Sequence, residues 1–428
     1  MNQLIAARIA RRVAVVTSLA LVGGGLTACT AAAPTAPVET PTATVVDASD
    51  STFWDTGAVH EIAITDADYQ ALIDAYLATG EKEWGTATVT IDGTTLHDVG
   101  LKLKGNSTLR VVTSTSDPST LPWLIDLDKY VDDQHYLDAT ELVVRGSSTE
   151  TALNEALALE MLDAAGLASE QAVSSRISFD GGDQKLRLVI QNPDGTWDEQ
   201  QFGDEGLVYK AEAGGDYSYR GDDPESYADV FDQEAGDDDL TPLIAFLKFI
   251  NESDDATFAS GLGTYLDVDS FATYLAFQDL VDNFDDINGP GNNSYLRYDE
   301  ETGIMTVVSW DLTLAFGTSN VDGGGGAGAG GPRPGGGNPP QGGGGNGGPQ
   351  GGMGREQANV LVDRFLADAD FAALYAQAKV DLQEELITSG AAQGILGDWV
   401  AVLRAQASDL VPAATVDSEA AALEEYLG

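Results

Sequence analysis

The stretch His60-Glu61-Ile62-Ala63-Ile64 alternates between polar and apolar positions, the period of two expected of a half-buried strand. Thr65 with Asp68 then reads as a helix N-cap with an acidic first turn, and Tyr69, Leu72, Ile73, Tyr76 and Leu77 recur at helical spacing. Two further strands are expected over Trp84–Ile91 and Leu96–Leu103, joined by a turn at Asp92-Gly93. Strands follow at Trp123–Leu127 and Glu141–Val144. Glu150–Ala165 reads as an amphipathic helix stopped by Gly166. Val173–Phe179, Lys185–Gln191 and Gly206–Ala211 complete a first half dominated by antiparallel strands.

The pattern changes after an acidic connecting stretch, Gly221–Asp239. Helices are predicted over Leu240–Ile250, Ser253–Gly261 and Val268–Val281. A polar loop at Asn283–Ser294 leads into a hairpin, Tyr295–Tyr298 with Met305–Trp310. Helices resume from Glu356 to about Leu403 and again near Ser418–Leu427. Between hairpin and helices, residues 323–354 hold 19 of the chain's 49 glycines and cannot build a core. The expected fold class is therefore α+β in one bilobal domain, 52–428. Its β-rich N-lobe covers about 52–220 and its helical C-lobe about 240–428, with a disordered glycine-rich insertion at 323–354.

Before this domain the pattern is that of export. Arg8, Arg11 and Arg12 precede an apolar run, Val13–Val22, too short for a membrane span. Leu26-Thr27-Ala28-Cys29 then resembles a bacterial lipobox and holds the chain's single cysteine. The expectation is a signal peptide over 1–28, diacylation at Cys29 and a disordered Ala/Thr/Pro tether over 29–51. The domain would then stand on the outer face of a bacterial cell membrane.

Composition narrows the functions available. With 21 Lys and Arg against 69 Asp and Glu, the net charge is −48, which disfavours nucleic acid as a partner and electrostatic docking on anionic lipid. Cleavage at Cys29 would remove three arginines and no acid, taking it to −51. One cysteine and three scattered histidines (His60, His97 and His135) leave no disulfide framework and no Cys- or His-rich metal site.

The loop Asp282-Asn283-Phe284-Asp285-Asp286-Ile287-Asn288-Gly289-Pro290-Gly291-Asn292-Asn293 is rich in oxygen ligands for a hard cation. It is not an EF-hand, since Gly289 at the sixth loop position would put Phe284 at the first. Downstream, Trp310-Asp311 closes an apolar strand. Upstream, Lys102, Lys104 and Arg110 flank Gly105-Asn106-Ser107-Thr108, a rare concentration of positive charge in this chain. Carboxylates, amide oxygens and a few cations are the groups that phosphoryl transfer needs.

Taken in order, several segments resemble the CotH kinase family, named for spore coat protein H. They are Lys104–Thr108, Asp128-Lys129-Tyr130, Leu153–Ala158 with Gly166-Leu167-Ala168, Gly206–Ala211, Asn283-Phe284-Asp285, Asn293-Ser294-Tyr295-Leu296 and Trp310-Asp311. The resemblance runs from about Phe53 to Gly317. It implies an atypical protein kinase-like fold that uses ATP and Mg2+ or Mn2+ to phosphorylate Ser or Thr outside the cytosol. Asp285 would be the catalytic carboxylate, and Asn293 and Asp311 the metal ligands. Lys104 and Lys210 would be phosphate or nucleotide contacts, with Glu155 as the helix glutamate that pairs with an N-lobe lysine. The partner would be an unidentified surface or secreted protein.

Two departures stand against full activity. Leu124 replaces a basic residue, and Gln191 stands where many members have a glutamate. If those two groups form an ion pair in the family, both halves are neutral here. The alternative is a pseudokinase serving as a surface binding or scaffold lipoprotein, and a third option is an adhesin or a calcium-stabilised surface domain without any nucleotide.

Overall fold

The computed structural model describes residues 43–46, 51–289, 291–318 and 359–428. The signal peptide, Cys29, nearly all of the tether and the glycine-rich insertion lie outside the described residues.

The short strand β1 (Val45–Val46) pairs in parallel with β6 (His135–Tyr136). The alternating segments of the first half become β2 (Val59–Thr65), β3 (Gly85–Ile91), β4 (Thr94–Leu103), β5 (Trp123–Asp126), β7 (Glu141–Val144), β8 (Ala172–Phe179) and β9 (Lys185–Gln191). They close into a seven-stranded barrel in the order β2-β3-β4-β5-β7-β9-β8. Six of the seven pairings are antiparallel, and the seventh, β2 with β8, is parallel and seals the barrel. Closure leaves none of these strands with an open edge.

Alternation sorts the side chains by face. Ile62, Ile64, Val89, Leu101, Leu103, Trp123, Ile125, Leu142, Val173 and Val189 fill the interior. Helix α1 (Tyr69–Thr79) starts at Asp68, whose carboxylate accepts from the Ala71 amide, and it adds Leu72 and Ile73 to that core.

The outward-facing Leu124, Val143, Leu188 and Ile190 belong to a second core, shared with helix α2 (Leu153–Ala164). α2 is buried over most of its circumference, and two C-terminal helices, α9 (Ala391–Gln406) and α10 (Ala413–Leu427), cover it. The preceding pair, α7 (Val360–Ala367) and α8 (Ala369–Leu382) with a π-helical extension to Thr388, packs elsewhere in the helical half. At the start of α2, the Glu419 carboxylate of α10 accepts from the amides of Glu150 and Thr151 and from the Thr151 hydroxyl.

A second, four-stranded sheet has the order β11-β10-β12-β13, formed by β10 (Leu207–Ala211), β11 (Phe231–Ala235), β12 (Ser294–Asp299) and β13 (Ile304–Ser309). Helix α3 (Gly195–Phe202) leads into it from the barrel. Helices α4 (Thr241–Glu252), α5 (Asp255–Gly261) and α6 (Val268–Leu280) lie between β11 and β12 in sequence. Among the described residues no single helix is long and apolar enough to cross a membrane.

The α+β class stands. Seven strands of the β-rich first half close into a barrel, whereas β10, expected in the N-lobe, joins β11, β12 and β13 in the second sheet. The stretch Gly221–Asp239, expected to be only a connection, contributes β11, and its Asp232 and Glu234 carry the polar edge of the second sheet.

Candidate functional site

The site lies where the β12–β13 hairpin meets the barrel wall and α2. Helix α6 ends at Leu280, and its C-terminal turn is tied to the hairpin. The Gln278 amide donates to the Ser309 hydroxyl at 2.8 Å and its oxygen accepts from Asn283 Nδ2 at 2.9 Å. Asp282 and Asn292 adopt left-handed backbone conformations (φ 46° and 52°), which Asx residues tolerate better than most.

Inside this loop the Gly291 amide donates to Asp285 Oδ1 at 2.5 Å, and Asn293 Nδ2 donates to the Asp285 carbonyl at 2.8 Å. A Cβ on Gly291 would stand 2.6 Å from Asp285 Oδ2 and 3.0 Å from Asn293 Nδ2, so only glycine fits between carboxylate and amide. Burial, reinforced by the nearby Asp311 charge, raises the Asp285 carboxyl above the ordinary range, with the Gly291 amide opposing. A carboxylate with a raised pKa is a better proton acceptor.

Asp311 follows β13 with φ 59° and caps the short turn Leu312–Leu314. Its Oδ1 accepts from Thr313 Oγ1 at 2.6 Å and from Arg145 Nη2 at 2.5 Å. Burial works against the charge, but Arg145 outweighs it and holds the carboxyl below the usual range. Arg145 itself lies just past β7 and is bonded a second time, through Nε to Glu155 Oε1 on α2 at 2.8 Å. One buried guanidinium thus joins Asp311 to Glu155. Its plane lies 5.4 Å from the Trp310 ring centroid. Alongside Glu155, Asn154 donates to the Thr313 carbonyl at 2.7 Å, so α2 grips the Asp311 turn at two points.

The carboxylates behind Arg145 are not fully satisfied. Glu155 Oε2, Glu170 Oε1 and the Tyr295 hydroxyl are buried without a hydrogen-bond partner among the described residues. Burial pushes Glu155 up to about 7 and Glu170 up to about 8, against the pull of Arg145.

The predicted lysines occupy the opposite wall. Lys104 Nζ donates to Asn192 Oδ1 at 2.6 Å and lies 5.5 Å from the Trp310 ring centroid; desolvation brings it down to about 8. Asn192 in turn donates to Glu141, whose carboxyl burial lifts to about 8. Lys210, on β10, is paired with Glu212 at 2.7 Å and with Glu234 at 3.9 Å.

The structure therefore brings Asp285, Asn293 and Asp311 to one end of the hairpin and links Glu155 to them through Arg145. Lys104 reaches the group over Trp310. Glu155 meets Arg145, not Lys104 or Lys210. Arg145 carried a faint signal, as a single cation closing an apolar strand shortly before the helix Glu150–Ala165.

Leu124 and Gln191 do not face each other. Leu124 shares its face with Val143 and Ile190, whereas Gln191, one position further along, donates to Gln200. An ion pair at those two positions would not form in this register.

Among the described residues, no cluster of three or more His, Cys, Asp or Glu side chains is arranged to hold a metal ion. The donor set around the hairpin is nonetheless chemically suited to a hard cation. Asp285, Asn293 and Asp311 offer only oxygen once the Asn293 amide nitrogen is used, and the buried Asn283 Oδ1 has no partner among the described residues. Asn293 and Asp311 are the residues that would hold it.

A family model described as CotH kinase protein matches residues 101–419. No curated protein matches this chain. The match covers most of the sequence and both walls of the site, and the chain belongs to the CotH kinase family.

Proposed function

We propose that the chain is an extracytoplasmic protein kinase. It moves the terminal phosphoryl group of ATP to a Ser or Thr hydroxyl of a surface or secreted protein, on a bacterial cell membrane to which a lipidated Cys29 ties it. In this reading the barrel half serves as the N-lobe and the helical half as the C-lobe. The observation that carries it is the convergence of Asp285, Asn293 and Asp311 at one hairpin end, facing Lys104 across Trp310.

When bound, Mg2+ or Mn2+ would neutralise charge on the phosphate oxygens. Asp285 accepts the proton of the acceptor hydroxyl as its oxygen bonds to the terminal phosphorus. The bond from that phosphorus to the bridging oxygen breaks, and ADP leaves with the electron pair. Lys104 and Lys210 meet phosphate oxygens. Arg145, anchored on Glu155, fixes the Asp311 carboxylate so that one oxygen stays directed to the cleft.

A nucleotide that binds only the folded chain raises its melting temperature. A rise with ATP and Mn2+, absent in Asp311→Ala, together with labelled phosphate on protein, is the expected result. No rise at millimolar ATP overturns the reading. A rise without transfer in any acceptor mixture favours the pseudokinase alternative.

A further inference from the structure

Five of the chain's eight lysines (Lys82, Lys102, Lys104, Lys129 and Lys210) lie close enough beside the candidate site to feel one another's charge. Their grouping is uneven. Lys104 stands by Trp310, and Lys210 is held by Glu212 and Glu234. Lys102 and Lys129 hold their ammonium groups 4.4 Å and 4.3 Å from the centroid of a second ring, Trp84, further out. Gly100 makes this clamp possible, since a Cβ there would stand 2.6 Å from Lys129 Cβ and 3.0 Å from Trp84 Cζ3. Lys82 lies two residues before Trp84 and feels both Lys102 and Lys210.

These outer lysines are poorly neutralised in a protein that has 69 acids to offer. Lys82 and Lys102 form no ion pair with any described carboxylate, and Lys129 meets only Asp126, at 3.7 Å. Lys102 is held below the usual lysine range by desolvation, with Lys129 and Lys210 adding to it against Glu234 and Glu141. Lysines left unpaired at such proximity store repulsion that an anionic ligand relieves. Arg145 is committed to Glu155 and Asp311, and Lys210 to Glu212 and Glu234, whereas the outer lysines keep their charge for a separate anion.

We propose that the Trp84 platform, with Lys82, Lys102 and Lys129, binds the acceptor: a peptide segment with Asp or Glu beside the Ser or Thr that receives the phosphoryl group. The acidic surface elsewhere repels such a segment, so the platform is where it gathers. Selectivity follows from the same contrast, because a basic segment is drawn to the acidic exterior and repelled at the platform. This rests on the kinase reading for the transfer step, but not for binding.

The test uses the full chain and three labelled peptides that differ only in flanks of the central Ser: Glu, Ala or Lys. Fluorescence anisotropy without nucleotide should show the Glu-flanked peptide binding about tenfold more tightly than the Ala-flanked one, with the preference lost at high salt. The Lys82→Gln/Lys129→Gln variant should fold normally by its denaturation midpoint, keep its ATP-induced thermal shift and lose that preference. With transfer as readout, the same variant should raise KM for the Glu-flanked peptide with little change in kcat. Equal binding of all three peptides, with the ATP shift intact, overturns the inference and leaves the kinase. Loss of the ATP shift in the double variant also overturns it, by giving the platform to the nucleotide. Preference for the acidic peptide without any ATP shift in the wild type overturns the kinase reading and sustains the platform.

Discussion

The barrel interior and the seam around Arg145 are both deeply buried, yet they are built on opposite chemistry. Inside the barrel, Ile62, Val89, Leu101, Trp123, Ile125 and Val189 pack together, and the buried Arg187, on the Val189 face of β9, is spent on the backbone carbonyls of Ser119, Leu121 and Arg145. Just past β7, Arg145 is buried against Glu155 and the part-exposed Asp311, with Glu170 behind, and three buried polar atoms there have no partner among the described residues. An apolar interior is satisfied by any set of side chains that fills it, and its stability scales with area. The seam depends on individual groups, because each unpaired charge in it carries a penalty of its own. One region holds the scaffold, and the other keeps reactive groups in conformations that water would otherwise relax.

That contrast is open to attack at several points. The largest effect is expected from Asp285→Asn, which should lower phosphate transfer on the order of 10²–10⁴-fold while the ATP-induced thermal shift persists. Equal transfer by this variant removes Asp285 from its role. Next comes Arg145→Met, which strands Glu155 and Asp311 and should cost about 3–5 kcal/mol in urea denaturation. A loss below about 1 kcal/mol would mean that the seam tolerates substitution as the barrel does. In the barrel, Ile125→Ala should cost about 2–4 kcal/mol and leave the ATP shift at matched folded fraction unchanged. A change in nucleotide affinity there would erase the division of labour between the two regions.

The smallest effect is one of pH. Glu170 and Glu141 titrate at about 8 and Glu155 at about 7 in the folded chain, all above their ordinary value of 4.5. The folded state therefore binds more protons than the unfolded one between those limits. The stability this contributes is fully present below the unfolded value and is lost as pH rises through about 7 to 8. Denaturation midpoints should fall from pH 5 to pH 8.5, and Glu170→Gln should flatten the slope by on the order of 2 kcal/mol. An unchanged slope in that variant would mean that Glu170 is ionised throughout.

What could be read from the chain follows the same division. Every barrel strand coincides with a segment of alternating or continuous apolar residues, because that signal is local and survives in a window of a few residues. The closure of the barrel was not readable, since β2 finds its parallel partner β8 across more than a hundred residues and no periodicity encodes the pairing. Strand β11 was hidden by its sequence, Phe231-Asp232-Gln233-Glu234-Ala235, whose polar centre lacks the residues that favour strands. Helix α3, Gly195–Phe202, has no continuous apolar stripe and begins with a glycine. Asp285, Asn293 and Asp311 were visible as oxygen-bearing side chains near turns. Arg145 was not, because its meaning depends on Asp311, 166 residues away, and on Glu155 lying on the facing side of α2.

The clamp of Glu419 on the start of α2 has a consequence in time. Glu150 and Thr151 wait for a carboxylate 269 and 268 residues further along the chain, and the helix they begin is the one that carries Asn154 and Glu155. During synthesis the barrel strands are all made while α10 is still unwritten. The seam therefore reaches its final shape only after residue 419 has been made, so an emerging or interrupted chain can possess a barrel and still lack a finished site. Order of manufacture thus separates scaffold from chemistry, as position in the fold does.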